Sequence, residues 1–171
     1  MKKMIAALIA SFTLAACELP PIPIPVEGET VVESNSLVVT LNALGFDQFT
    51  DFDLTSTSEF KNEVGSLSKV KAIYLDQFTL EAVSPADASI DFIHAGTFSF
   101  AADGEREQLV AEISSRPADG AKTLALRTYN ETNLKNIIAS EKFTLTSDLD
   151  VTSPDQDTTV NAKLVFMIHL N

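Results

Sequence analysis

Three pairs of aspartates, each two residues apart, are the side chains in this chain whose spacing best suits chemistry. They are Asp51 and Asp53, Asp148 and Asp150, and Asp155 and Asp157. Residues two apart on a strand share a face, and clustered carboxylate oxygens are what a hard cation such as calcium binds. The turn Asp155–Gln156–Asp157, with Asp150 or Asp87 nearby, is therefore the best candidate for a metal site. The alternative, which we favour, is that acids at turns and on exposed strands prevent edge-to-edge pairing of a β protein.

Catalytic motifs are missing from the sequence. The chain has no Gly-x-Ser-x-Gly elbow, no His-Glu-x-x-His pair and no phosphate-binding glycine loop, and it has only six glycines. Its two histidines, His94 and His169, stand far apart with no metal-ligand spacing around either. We therefore expect a protein that is not an enzyme and that needs no cofactor.

The charge balance excludes one class of partner. The chain carries 24 acidic against 12 basic residues, a formal charge of −12. Because nucleic-acid binding needs a basic face, we expect no nucleic-acid partner. Cations or basic partners would suit such a domain, although most acidic surfaces simply keep a protein soluble.

The amino terminus has the pattern of an export signal. Lys2 and Lys3 precede an apolar stretch, Met4–Ala16. The stretch, about 13 residues long, falls short of the roughly 20 that a membrane-spanning helix needs. It fits the apolar region of a signal peptide.

The tetrad Leu14-Ala15-Ala16-Cys17 follows, and with the signal it resembles the lipobox of bacterial lipoproteins. The resemblance implies cleavage after residue 16 and lipid attachment at Cys17, with diacylglycerol on its sulfur and usually a further acyl chain such as palmitate on its amino group. The alternative is an ordinary secretory signal, but Leu14 fits the small-x-small cleavage rule poorly. Cys17 is the only cysteine, so the mature chain would hold no disulfide.

The residue after the cysteine bears on location. In enterobacteria-like lipoproteins an aspartate there tends to retain the protein in the inner membrane, and this chain has Glu18. The resemblance therefore implies a protein anchored in the cell envelope, in the outer membrane. The alternative is a Gram-positive cell, which has no outer membrane.

Residues 17–30 are predicted to form a lipidated tether. Four prolines between Pro20 and Pro25 favour an extended polyproline II arm. Such an arm could hold the domain about 30 to 40 Å from its anchor. Two alternatives stay open: a proline-rich recognition motif, or packing of the interleaved Ile and Val side chains on the domain.

From residue 31 to 171 alternating apolar residues predict strands. The predicted strands or extended segments are Ser36–Asn42, Phe46–Leu54, Val70–Val83 with a bulge near Asp76-Gln77, Thr97–Ala101, Gln108–Ser114, Thr123–Thr128, Lys142–Val151 and Thr158–Leu170. A short helical or loop segment is expected within Thr57–Ser66, and a short helix at Asn133–Ser140. We expect the last two strands to form a closing hairpin through the turn at residues 153–157.

These elements predict an all-β domain, an antiparallel two-sheet β-sandwich of immunoglobulin-like or jelly-roll type with one or two short helices. The central stretch, with Ser84-Pro85, Asp91-Phe92, the Phe98–Phe100 strand and Asp103-Gly104, resembles β-sandwich envelope lipoproteins of uncharacterised role. Together they predict a membrane-anchored domain that binds or scaffolds a partner, with an envelope protein as the candidate partner. The alternative is an envelope-assembly or adhesion module that accepts a partner strand at a sheet edge, and a calcium-binding module is a third, weaker interpretation.

Overall fold

The computed structural model describes residues 19–34, 46, 49–140 and 142–171. The predicted signal peptide, Cys17 and the predicted strand Ser36–Asn42 lie outside the described residues.

Eight strands and two short helices make up the described chain. They are β1 (Ile22–Val32), α1 (Ser58–Glu63), β2 (Val70–Ser84), β3 (Ile93–Ala101), β4 (Gln108–Ile113), β5 (Thr123–Ala125), β6 (Arg127–Thr128), α2 (Lys135–Ala139), β7 (Thr144–Val151) and β8 (Thr158–Leu170). The first sheet has the strand order β1-β8-β2-β5 and the second β6-β4-β3-β7. All neighbouring strands are antiparallel. The predicted all-β two-sheet sandwich is confirmed.

Alternation along the strands builds the core between the sheets. In β8 the residues Val160, Ala162, Leu164, Phe166 and Ile168 are buried, as their shared parity predicts. Phe166 stacks on Phe100 of β3 in the other sheet, with ring centroids 5.8 Å apart. One apolar core therefore joins the two sheets.

A bulge in β2 re-aims its side chains where the sequence predicts it. Leu75 and Phe78 are both buried although their parities differ. The pairing of β2 with β8 shifts register between Leu75 and Gln77. The extra residue keeps apolar side chains on the core face over the whole strand.

The predicted strand Thr123–Thr128 is divided between the two sheets. β5 pairs with β2 of the first sheet, and β6 pairs with β4 of the second. Leu126, between them, is buried and donates its N–H to the Phe78 carbonyl at 2.9 Å. The segment from residue 123 to 128 therefore pairs with both sheets and connects them along one edge of the sandwich.

The predicted tether is wrong from Ile22 onward. All eleven residues of β1 pair with β8, from Ile22 opposite Ile168 to Val32 opposite Thr158. Ile24 and Val26 are buried in the core. Proline is accepted in an edge strand when its nitrogen faces away from the neighbouring strand, so Pro23 and Pro25 do not prevent pairing. The packing alternative for the interleaved Ile and Val side chains is the correct one.

The predicted closing hairpin is also wrong. β7 belongs to the second sheet and β8 to the first, so the turn at residues 153–157 crosses the sandwich. Both strands have one apolar face as predicted, but a repeating pattern does not specify which sheet each strand joins.

Phe46–Leu54 supplies core residues without forming a strand in its described part. Phe46, Phe49 and Leu54 are buried. Residues 54–56 form a 3-10 turn, and Phe52 makes an isolated bridge with Phe143. The rings of Phe49, Phe52 and Phe143 contact one another edge to face at 5.6 and 5.5 Å. Aromatic packing holds this segment against the sandwich.

The two short helices lie close to where they are expected. The Thr57 hydroxyl caps α1 by accepting the Phe60 N–H at 3.2 Å. Asn133 Oδ1 accepts the Lys135 N–H at 3.0 Å and the Ile73 N–H at 3.2 Å, which ties α2 to β2.

Gly96 marks the closest approach of β3 to β7. Its φ is +149°, and a Cβ there would lie 2.4 Å from the Asp148 carbonyl oxygen and 2.8 Å from the Leu149 Cα. Backbone atoms cannot move aside as a flexible side-chain end can. Only glycine fits this register.

We predict that Gly96→Ala lowers the free energy of unfolding by about 2–3 kcal/mol, because β3 and β7 must separate. Gly104→Ala is the matched control, since Gly104 also has positive φ but no atom within 4 Å of the added Cβ. It should cost only roughly 1 kcal/mol. Urea denaturation measures both, and equal losses would contradict the close-approach explanation.

Candidate functional site

A polar cleft of about 250 Å³ opens at the end of the sandwich where β2 ends and β3 and β8 begin. We call it the acidic cleft. Three connecting segments form it: residues 87–92, 116–119 and 152–158. The first follows the cis Ser84–Pro85 bond that ends β2.

Asp91 fixes two of these segments to each other. Its Oδ2 accepts the Gly120 N–H at 2.6 Å, and its Oδ1 accepts the Ser89 hydroxyl at 2.7 Å. The Gly120 N–H, then the Ser89 hydroxyl, hold the pKa of Asp91 below its ordinary value, while partial burial opposes them. The charged Asp91 carboxylate therefore links two loops through hydrogen bonds.

Two further hydrogen bonds connect the segments that form the cleft. Gln156 Nε2 donates to Asp87 Oδ1 at 3.1 Å, which joins the segment after β7 to the one after β2. The Lys122 ammonium donates to the Ala86 carbonyl. The cleft walls are held by hydrogen bonds between loops.

Four carboxylates line the acidic cleft against one cationic side chain. They are Asp87, Asp91, Asp119 and Asp155, and the cation is Arg116. Ser89, Thr152 and Gln156 add hydrogen-bonding groups. This arrangement favours small ligands or partner side chains that carry a positive charge and several N–H donors.

The three candidate metal ligands do not share one position. Asp155 lines the acidic cleft, and Asp150 is exposed on β7. Asp157 Oδ1 accepts both the N–H and the hydroxyl of Ser34, each at 2.9 Å. In the part of the chain that the structure describes, no three His, Cys, Asp or Glu side chains form a group suited to a metal ion.

Sequence reasoning found some of the cleft and missed the rest. It named Asp155 and Asp87, and the structure links their segments through Gln156. It missed Asp91, Arg116 and Asp119 as cleft residues. The available signal was that Ser84-Pro85 and Arg116-Pro117 both interrupt strands, but sequence alone does not place two such loops at the same end of a sandwich.

The two histidines are far apart and half-buried. His94 Nε2 lies 3.5 Å from the Thr152 hydroxyl, at the limit of a hydrogen bond. His169 packs edge to face on Tyr74, with ring centroids 5.3 Å apart.

The exposed edges of the sheets carry features that hinder strand addition. Pro23 and Pro25 remove two N–H donors from the outer edge of β1. β7 presents the exposed carboxylates Asp148 and Asp150. Among the described strands, β7 pairs only with β3.

The family-model, curated-protein and solved-structure comparisons all gave no match to this chain. Among the described residues, no helix has the length and apolar character needed to cross a bilayer.

We predict that Asp91→Asn lowers the free energy of unfolding at pH 7, because an amide cannot satisfy both N–H and O–H donors as a carboxylate does. The native pKa lies below the unfolded one, so the stabilisation is present above about pH 4 and disappears as pH falls through the lowered native pKa. The difference from wild type should therefore shrink in acid.

Urea denaturation at pH 7 and pH 3 measures this difference. Asp119→Asn, an exposed carboxylate of the same cleft, is the matched control and should stay close to wild type at both values. If Asp91→Asn lowers the free energy of unfolding by the same amount at pH 7 and pH 3, the charged Asp91 carboxylate does not link the loops as described.

Proposed function

We propose that this protein is a bacterial envelope lipoprotein, anchored through lipid on Cys17, whose β-sandwich acts by binding or scaffolding and not by catalysis. The observation that carries the proposal is the amino-terminal pattern: Lys2 and Lys3, the apolar stretch Met4–Ala16, and the tetrad ending at Cys17. Several buried acyl chains hold a protein on a membrane without measurable dissociation. The outer membrane is the proposed location, on the basis of Glu18.

The acidic cleft supports a binding role for the domain. Two of its carboxylates accept hydrogen bonds from neighbouring donors, Asp91 from the Gly120 N–H and Asp87 from the Gln156 amide. A carboxylate has about four lone-pair sites, so both can still accept hydrogen bonds from a cationic partner. The proposed ligand is a basic protein segment or a small cation with several N–H donors.

The strand-accepting alternative has weaker support. The prolines on β1 and the aspartates on β7 both work against an added strand. A calcium-binding role also has weaker support, because Asp157 already accepts two hydrogen bonds from Ser34.

We predict that Cys17→Ser abolishes the incorporation of radiolabelled palmitate into the protein, because the sulfur that takes the first lipid is gone. Mass spectrometry of the wild-type protein should show a mature chain that starts at residue 17 and carries acyl groups. Glu18→Gln is the matched control and should incorporate palmitate as the wild type does. A Cys17→Ser protein that still incorporates palmitate would overturn the lipid-anchor proposal.

Protease treatment of intact and permeabilised cells, with a tag after Asn171, distinguishes the two sides of the envelope. Loss of the tag from intact cells would favour capture of an external partner. Protection until permeabilisation would favour scaffolding within the envelope.

A further inference from the structure

The start of β1 limits how far the domain can lie from its anchor. β1 begins at Ile22, and it pairs with β8 from that first residue. Five residue steps separate Cys17 from Ile22, which span at most about 18 Å even when fully extended. A lipid on Cys17 therefore keeps one end of the sandwich at the membrane surface.

The two ends of the sandwich lie far apart, and both carry acids. The anchor end contains the start of β1, the start of β2 and the end of β8, with Glu59 and Glu63 of α1 beside Ile22 and Pro23. The other end holds the acidic cleft, with its four aspartates. β8 runs between them for 13 residues, roughly 40 Å at the usual strand rise. Because the lipid would hold the anchor end at the membrane, the four aspartates of the cleft would be kept away from anionic headgroups, which repel them.

The outer face of the first sheet is apolar near the anchor. Pro23 lies opposite Met167, which in turn lies opposite Tyr74. In the next row Pro25 lies opposite Val165. We call these residues, together with the adjoining His169, the anchor-side patch. Its members are Pro23, Pro25, Tyr74, Val165, Met167 and His169. Its two prolines are exposed and its other members half-buried.

The same face becomes charged farther from the anchor. Lys163 Nζ binds Glu81 Oε2 at 2.7 Å, and Asn161 Nδ2 donates to Glu27 Oε2 at 3.4 Å. On this sheet face the side chains change from apolar to charged with distance from the first residue of β1, and Glu59 and Glu63 of α1 lie at the margin of the patch beside Ile22 and Pro23. Leu19, which precedes that strand, is 60% exposed and extends the apolar surface toward Cys17.

We propose that the anchored domain docks its anchor-side patch on the lipid headgroup region of its own membrane, with the acidic cleft directed away from the bilayer. The occupant of the patch is the bilayer, because the short connection to Cys17 places them together. Tyr74 suits this position, since tyrosine has an apolar ring and a polar tip. The inference rests on the proposed lipid anchor.

The test uses the lipidated full-length mature protein in vesicles of phosphatidylcholine and phosphatidylglycerol that contain a nitroxide-labelled lipid. An environment-sensitive fluorophore is attached to one introduced cysteine at a time. Met167→Cys reports on the patch itself. Gln77→Cys reports on the border of the patch, where the exposed Gln77 side chain can be replaced by a labelled cysteine. Asp103→Cys lies at the same end on the other sheet, and Asp155→Cys lies in the cleft.

We expect quenching at positions 167 and 77 to be several-fold greater than at 103, and 155 to be unquenched. Equal quenching at positions 103 and 167 would overturn the proposal in favour of an end-on arrangement of the domain. An absence of quenching at positions 167 and 77 would overturn it by showing that the patch does not contact the membrane.

The parent protein separates these failures from failure of the anchor itself. Thioether-linked Cys17 cannot react with a maleimide, so the parent should remain unlabelled. Labelling at Cys17 would overturn the lipid anchor, whereas an unlabelled parent with an unquenched patch would overturn the docking alone.

Discussion

The pairing of β8 with β1 and β2 is the interaction on which the rest of the structure depends. β8 is an inner strand of the first sheet and is second in length only to β2. It pairs with β1 on one side and with β2 on the other. Its inner face supplies Phe166, which meets Phe100 and Phe143 from the second sheet. Because the chain has a single cysteine, no disulfide within it can substitute for this pairing and its packing.

The same pairing determines where the proposed anchor would lie. A free proline-rich arm would separate the domain from the proposed lipid, but a strand that starts at Ile22 brings the sheet to within a few residues of Cys17. The far ends of β2 and β8 then lie near the acidic cleft. One feature of the fold therefore separates the end nearest Cys17, which would be the membrane end of the proposed lipoprotein, from the polar end.

Much of the fold could be predicted because burial follows a local pattern. The inward residues of β8, the bulge in β2 and the two short helices are confirmed. The β7–β8 hairpin was wrong because alternation reports which face is buried and not which sheet a strand joins. The tether was wrong because proline content suggested an isolated arm, whereas Ile24 and Val26 gain more from burial in the core.

The candidate site was less predictable than the fold. The acidic cleft combines three loops that are distant in sequence, and hydrogen bonds such as Asp91 to Gly120 bring them together. Asp157, a candidate metal ligand that the sequence analysis did not favour, accepts two hydrogen bonds from Ser34. Turn residues show where a chain bends, but the sheet order determines which bends meet.

Amide hydrogen exchange of the mature protein tests the central claim, that the proline-rich segment is a strand of the sandwich. Since Pro23 and Pro25 have no N–H and face away from β8, the amides of Ile24, Val26 and Gly28 should bond to β8. We predict that these three amides exchange as slowly as those of Val165 and Met167, which face β2 on the other side of β8. Exchange at the rate of an unstructured peptide would contradict the account, because it would make residues 22–32 a tether and not a strand.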